Sequence, residues 1–169
     1  GWVSDYGTGT RRREKMNEAV LSRIPLEDTH VLDFGPLVGD GRPTRGALAF
    51  TVDLGRGDKL LVYVVHLKSN YGVRGRNIAQ RKNALALIRA DAERLQKEQP
   101  DAKWEVVITG DFNVDPDLEE FKTDESLSPV ADWNDLWFGR PIEERSTLPT
   151  RMGNPAWEYP PAAFDRFVV

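Results

Sequence analysis

The sequence predicts an α+β domain in which strands dominate and one long helix is inserted between two of them. Three observations carry this. Residues 45–54 and 59–67 are apolar, β-branched runs joined by Gly55-Arg-Gly-Asp58, the pattern of a β-hairpin. Residues 77–99 change to helical spacing, with Ile78, Leu85, Leu87, Ile88, Ala92 and Leu95 on one stripe and Pro100 just beyond. Residues 104–109 return to a strand pattern, which Gly110 is expected to break. The simplest layering packs sheets face to face with the helix outside.

In chain order, residues 1–10 read as loop and 11–17 as loop or short helix. Residues 19–25 form a short strand ended by Pro25, which cannot donate to a central ladder. Residues 29–34 alternate as a second strand, and 35–44, with three Gly and two Pro, form a loop. The strand at 59–67 is apolar on both faces from Leu60 to Val65, which predicts a central, buried position. After Pro116, residues 117–121 suit a short helix. Residues 126–144 are irregular, with Trp133, Trp137 and Phe138 expected to pack that stretch onto the body. Residues 146–161 read as loop and 164–169 as a last strand.

The 169 residues suit one domain spanning 1–169, and 40% hydrophobic with 30% charged content is ordinary for a globular chain. No run of 18 apolar residues is present, so no transmembrane helix is predicted. Cysteine is absent, which excludes disulfides, thiolate metal sites and cysteine nucleophiles. A net charge of −4 and a pI of about 5.3 argue against avid binding to nucleic-acid backbones. The local basic clusters, Arg11-Arg12-Arg13 and Arg74, Arg76, Arg81 and Lys82, read as solvated surface.

The residues able to carry chemistry are few. Asp111 and Asn113 follow the strand at 104–109, and in extended chain they face one way with Phe112 anchoring the other. The same pair also suits a plain turn. His66 ends a buried strand, placed to act as a general acid or as a donor to an anion, or else to be a structural histidine satisfied by backbone. His30 reads as surface. Asp165 sits in an apolar strand and needs a partner, for which Arg166 is the simplest choice. Together His66, Asp111 and Asn113 could serve phosphoryl chemistry, which needs charge stabilisation of the phosphoryl oxygens and an oriented water.

Taken in order, the stretches His66-Leu-Lys-Ser69, a helix bearing Gln80-Arg81, Ile108-Thr-Gly-Asp-Phe-Asn113 and Phe164-Asp-Arg-Phe-Val168 resemble the endonuclease/exonuclease/phosphatase superfamily. Val20-Leu-Ser-Arg-Ile-Pro25 is similar to its Ser-Arg-x-Pro strand, and Arg45-Gly46 to its Arg-Gly strand start. The resemblance implies a four-layer αββα sandwich of the deoxyribonuclease-like type and Mg²⁺- (or Mn²⁺-) dependent hydrolysis of a phosphoester. In that scheme His66 contacts the scissile phosphate, Asp111 positions or activates the attacking water, and Asn113 helps hold water and phosphate. Asp165 would orient a second catalytic histidine, and Thr147 or Thr150 matches a threonine before the last strand. Arg23, Lys68 and Asn70 are the expected substrate contacts. The superfamily's main metal-ligating Glu and its second catalytic His find no match, so the metal ligands are left unassigned.

The chain is therefore expected to be the internal portion of a sandwich, inactive alone and prone to associate through an exposed sheet edge. The substrate could be nucleic acid, with Arg23, Arg74, Arg76 and Arg81 as groove candidates, or a small phosphorylated or lipid headgroup. The alternative reading is a non-catalytic binding or scaffold domain that keeps the fold.

Overall fold

The predicted hairpin forms the middle of the molecule. In the computed structural model, which describes residues 2–4, 18–36, 45–148 and 161–169, strand β4 is Ala47–Gly55 and β5 is Asp58–His66. They pair antiparallel with Leu48 opposite Val64 and Val52 opposite Leu60. The connecting Gly55, Arg56 and Gly57 all take positive φ, at 82°, 60° and 85°, which suits the two-residue hairpin turns that match strand twist. Period-two alternation then sorts the side chains. Ala47, Ala49, Leu61, Tyr63 and Val65 face one side, and Leu48, Phe50, Val52, Leu60, Val62 and Val64 the other.

Strand β3, Glu27–Leu32, flanks β4; β6, Lys103–Asp111, runs parallel to β5; and β7, Asp165–Val168, runs antiparallel to β6. The sheet order is β3-β4-β5-β6-β7, so β5 is central as its pattern predicts. Its second face is only half-buried, however, with Val62 and Val64 partly exposed. A parallel pair needs a long crossover, and helix α1, Arg74–Glu98, supplies it between β5 and β6. Two further strands, β1 (Trp2–Ser4) and β2 (Ala19–Leu21), form a separate antiparallel ladder. Val20 of that ladder and Leu26 pack onto the Leu48–Phe50–Val52 side of the main sheet.

Several expectations are corrected. Residues 2–4 are strand rather than loop, and the strand at 19–25 stops at Leu21, where Ser22 Oγ bonds the N–H and carbonyl of Ile24. The helix begins three residues before the expected start at 77, and its buried face includes Asn77, Gln80, Arg81 and Asp91, with Ile78 and Leu87 at the flanks. Its first turns cover polar loops, and from Ala84 onward it covers the apolar sheet. The short helix expected at 117–121 is a 3₁₀ turn, Glu119–Phe121, whose buried Phe121 meets Phe164 edge-on at 5.9 Å between ring centroids. Trp133 packs on the core, but Phe138 stays 69% exposed, because residues 134–136 instead pair along the outer edge of β7. That pairing covers one sheet edge. The other, β3, carries a register shift between Glu27 and His30 with Asp28 at φ 47°, a common way of blunting an edge.

His30 is also more than surface. Its Nε2 lies 3.1 Å from Asp91 Oδ2 on α1, and the same oxygen accepts the hydroxyl of buried Tyr63 at 2.8 Å. The readings made for residues 5–17, 37–44 and 149–160, including the Arg11-Arg12-Arg13 cluster and Thr150, fall outside the described residues. Among the described residues no helix is long and apolar enough to cross a membrane.

Candidate active site

Strand register brings the acid and imidazole groups together. In the parallel pair β5–β6, His66 stands beside Asp111; in the antiparallel pair β6–β7, Asp111 stands opposite Asp165. Directly paired residues share a face, with Cβ atoms about 5 Å apart. His66, Asp111 and Asp165 therefore form one row at a single end of the sheet, where two strands finish and a third begins. His66 Nε2 is 3.5 Å from Asp111 Oδ2.

Gly110 makes the row possible. The sequence pattern predicts a strand break there, yet β6 continues through it to Asp111. Gly110 has φ 122°, and a Cβ at this position would run into the Val65 carbonyl of β5. Its missing side chain lets β5 and β6 stay in register up to the site.

Past Asp111 the chain is not extended as expected for a convergent acid–amide pair. Asn113 takes φ 53° and donates its backbone N–H to Asp111 Oδ1 at 2.8 Å, an Asx turn. Both readings of this stretch thus hold in part: it is a turn, and it is pinned to the site. Asn113 Nδ2 donates to the Leu67 carbonyl at 3.1 Å, and the Leu67 N–H donates to the Asp111 carbonyl at 2.8 Å. Phe112 is fully buried, as an anchor beneath the site should be, and its N–H donates to Phe164 at 2.7 Å.

Asp165 does not pair with Arg166. Alternation sends the fully buried Arg166 to the other face, where it meets Asp115 at 3.5 Å and Asp135 at 2.5 Å. Asp165 stays exposed, its N–H donating to Thr147 Oγ1 at 3.0 Å and its carbonyl accepting from Trp137 Nε1 at 3.0 Å. Thr147, one of the two threonines left open by sequence, is therefore tied to the site.

The expected substrate contacts divide. Lys68 Nζ reaches back to Ser69 and Tyr71 within its own loop. Asn70 Nδ2 donates to the Asn113 carbonyl at 2.8 Å. Arg23 is exposed in the bend after β2, and among the described residues no hydrogen bond or ion pair joins it to the row. Of the basic cluster, Arg74, Arg76 and Lys82 are exposed as expected and Arg81 is not. Arg81 is only 1% exposed, Arg74 bonds Glu120 and Thr123, and Lys82 pairs with Glu125.

Arg45 is the residue that sequence reasoning missed. It lies just before β4, and its positive charge acts on both His66 and Asp111. Extending the hairpin register from Leu48–Val64 sets Gly46 across from His66 and Arg45 across from Leu67, so the local pattern gives no sign of its electrostatic role. Burial, and then Arg45, hold the His66 imidazole below its ordinary value, while Asp111 and Asp165 pull it back up. Burial pushes the Asp111 carboxyl above its ordinary value, Asp165 adds to that, and the Asn113 N–H, His66 and Arg45 oppose it. Burial thus favours the neutral form of the His66 imidazole and makes the Asp111 carboxylate more basic than a free one. Because folding lowers His66, its protonation costs stability as pH falls from the ordinary histidine range through the lowered value. Replacing Arg45 by Gln should raise the His66 pKa and Asp111→Asn should lower it further, both read by NMR titration of the ring. An unmoved His66 in Arg45→Gln would show that the charge does not act there.

Among the described residues no three His, Asp or Glu side chains are grouped to hold a metal ion unaided. What the row offers is two carboxylates, Asp111 and Asp165, side by side. Like charges so placed repel, and a hard cation bound between them would relieve that repulsion. Mg²⁺ commonly uses only one or two carboxylates, completing its shell with water and phosphate oxygens. The donor set fits that role.

The family model described as Endonuclease/Exonuclease/phosphatase family matches residues 16–168. The chain belongs to this family. Solved structures with the same fold include sphingomyelinase C from Streptomyces griseocarneus, 20% identical with a TM-score of 0.61, covering 89% of this chain and 51% of that one. TDP2 from C. elegans is 18% identical with a TM-score of 0.63, over 99% of this chain and 47% of its own. The human nocturnin catalytic domain, solved with a sulfate anion, is 19% identical with a TM-score of 0.54, over 99% and 60%. The chain thus spans roughly half the length of these relatives. Among curated proteins none matches the chain. Family membership and these neighbours establish the α+β, deoxyribonuclease-like fold class for the mixed sheet and its helix.

Proposed function

We propose that the protein hydrolyses a phosphodiester by in-line attack of water, and that the His66–Asp111–Asp165 row with Arg45 is where this occurs. The observation that carries the reading is the row itself: a base of raised pKa, a neutral imidazole and a fixed positive charge at one sheet end. Asp111 orients the attacking water and accepts its proton. Asn113 holds the Asp111 carboxylate through its N–H, its side-chain amide being bonded to the Leu67 carbonyl. His66 contacts the scissile phosphate, whose negative charge would favour its protonation. Arg45 stabilises charge on the phosphoryl oxygens.

The proposed cofactor is Mg²⁺ or Mn²⁺, faced by Asp111 and Asp165, supplying Lewis-acid stabilisation of the phosphoryl oxygens when bound. The proposed frame is the internal portion of a single endonuclease/exonuclease/phosphatase domain, a four-layer αββα sandwich in which the half-buried Val62–Val64 face meets a second sheet. The substrate class spans nucleic-acid and headgroup diesters. The occupied Arg74 and Arg81 leave fewer free cations for a nucleic-acid groove than the sequence suggests.

The test is turnover of bis(p-nitrophenyl) phosphate by the product of the complete reading frame, with and without Mg²⁺, beside Asp111→Asn. Metal-dependent turnover falling by about 100-fold or more in the variant is the expected result. A folded protein with no turnover on any phosphodiester overturns it and leaves a binding domain.

A further inference from the structure

Arg81 is a guanidinium on a helix face, and only 1% of it is exposed. A buried cation is costly unless its charge is paired and its N–H groups are all placed. Here they are distributed over two separate loops. Nε donates to Ser126 Oγ at 2.8 Å and Nη2 to Asp124 Oδ2 at 2.7 Å, both in the loop after β6. Nη1 donates to the Lys68 carbonyl at 2.9 Å and to Asn70 Oδ1 at 3.0 Å, in the loop that leaves His66. Asn70 then uses its other end, Nδ2 donating to the Asn113 carbonyl at 2.8 Å. Asn113 closes the ring by donating Nδ2 to Leu67, the residue after His66.

We propose that Arg81 and Asn70 are positioning residues that hold Asn113 in its left-handed turn and so set the Asp111 carboxylate against His66. Asn113 at φ 53° occupies a conformation that a non-glycine residue keeps only when its surroundings hold it there. The carbonyl bond from Asn70 and the side-chain bond to Leu67 grip that residue from two sides. Its N–H is consequently aimed at Asp111 Oδ1, leaving Oδ2 for His66. Asn70 in this arrangement orients the site from within, as a spacer of fixed length between a buried charge and the turn. The alternative to be excluded is a purely structural staple, in which Arg81 merely fastens two loops.

An asparagine with one end on each partner allows the two roles to be separated. Asn70→Asp keeps an acceptor for Arg81 but sets a carboxylate oxygen against the Asn113 carbonyl. Asn70→Ala loses both bonds. A positioning role predicts that both variants lose kcat by about 10- to 100-fold with KM little changed, as expected when a group that orients a site is removed. It also predicts that Asn70→Asp keeps the wild-type Tm while Asn70→Ala does not. Because the alanine adds no charge, matching kcat losses in the two rule out a simple charge effect. Activity that merely follows stability, with Asn70→Asp near wild type, overturns the proposal.

The kinetic arm rests on the phosphodiesterase reading, so a second readout stands apart from turnover. The Asn113 side-chain amide signals, observed by ¹⁵N NMR in this chain, should shift and exchange faster with solvent in both variants. If they are unmoved in both, the inference fails even where turnover is normal. If they move and the wild type turns over no diester, the brace is real and the functional reading is what fails.

Discussion

Asp115→Ala is expected to cost about 3–5 kcal/mol, the range for breaking a buried ion pair and leaving its partner charged. Asp115 is fully buried between two arginines that are themselves 5% and 0% exposed. Arg145 Nη1 donates to its Oδ2 at 2.6 Å, the Ala163 N–H donates to the same oxygen at 2.9 Å, and Arg166 stands 3.5 Å from Oδ1. Removing the carboxylate strands two cations, and Asp135 and Asp117 each compensate only one of them. The segment held through Ala163 and Arg166 leads into Asp165, so the damage reaches the site from behind. Burial alone would raise the Asp115 carboxyl; the Ala163 N–H and then Arg145 outweigh it, and the net shift is downward. The stability it contributes is therefore present above the ordinary carboxylate range and lost as pH falls through the lowered value. Urea denaturation at neutral pH should show the full deficit, and the gap between variant and wild type should narrow in acid. A gap that stays constant with pH would mean that the ionised carboxylate is not the source.

The second large effect is expected at Gly110. Gly110→Ala meets two obstacles, a φ of 122° and the Val65 carbonyl in the path of the new Cβ. The clash is with backbone, which cannot turn aside as a flexible side chain would, and the expected loss is about 3–5 kcal/mol. Gly55→Ala is the control, since it has φ 82° but nothing within 4 Å of the added atom. It should cost about 1–2 kcal/mol, the backbone part alone. Because β5 and β6 must separate to admit the methyl group, the His66–Asp111 contact should be lost before the sheet is. His66 then titrates without Asp111's support in whatever fraction stays folded. Equal losses in the two variants would show that the close approach of β5 and β6 is not what Gly110 provides.

The hairpin at 47–66, the crossover helix and the last strand were legible because each rests on local rules: alternation, helical period and turn chemistry over a few residues. His66 stood out because the chain has only two histidines, whereas Asp111, Asn113 and Asp165 took their expected roles from the resemblance of their motifs to the family. Arg45 was harder to see, since its importance comes from the charge it sets near His66 in the folded chain rather than from its neighbours in sequence. Arg81 was misjudged for a related reason. A charged residue on a helix is solvated unless something covers it, and the covering loops at 68–70 and 124–126 come from opposite sides of the helix in sequence.

Gly110 shows the division most clearly. Sequence alone establishes that a glycine interrupts an apolar run before Asp111, and composition and pattern determine the elements on either side. Whether that glycine ends the strand or lets it continue depends on how near β5 approaches, and no local pattern encodes a distance between segments far apart in the chain. The same holds for the pairing of Arg166 with Asp115 and Asp135 rather than with its neighbour Asp165. The period of two puts adjacent residues on opposite faces, but only the packed structure decides which face is buried and which acids wait there.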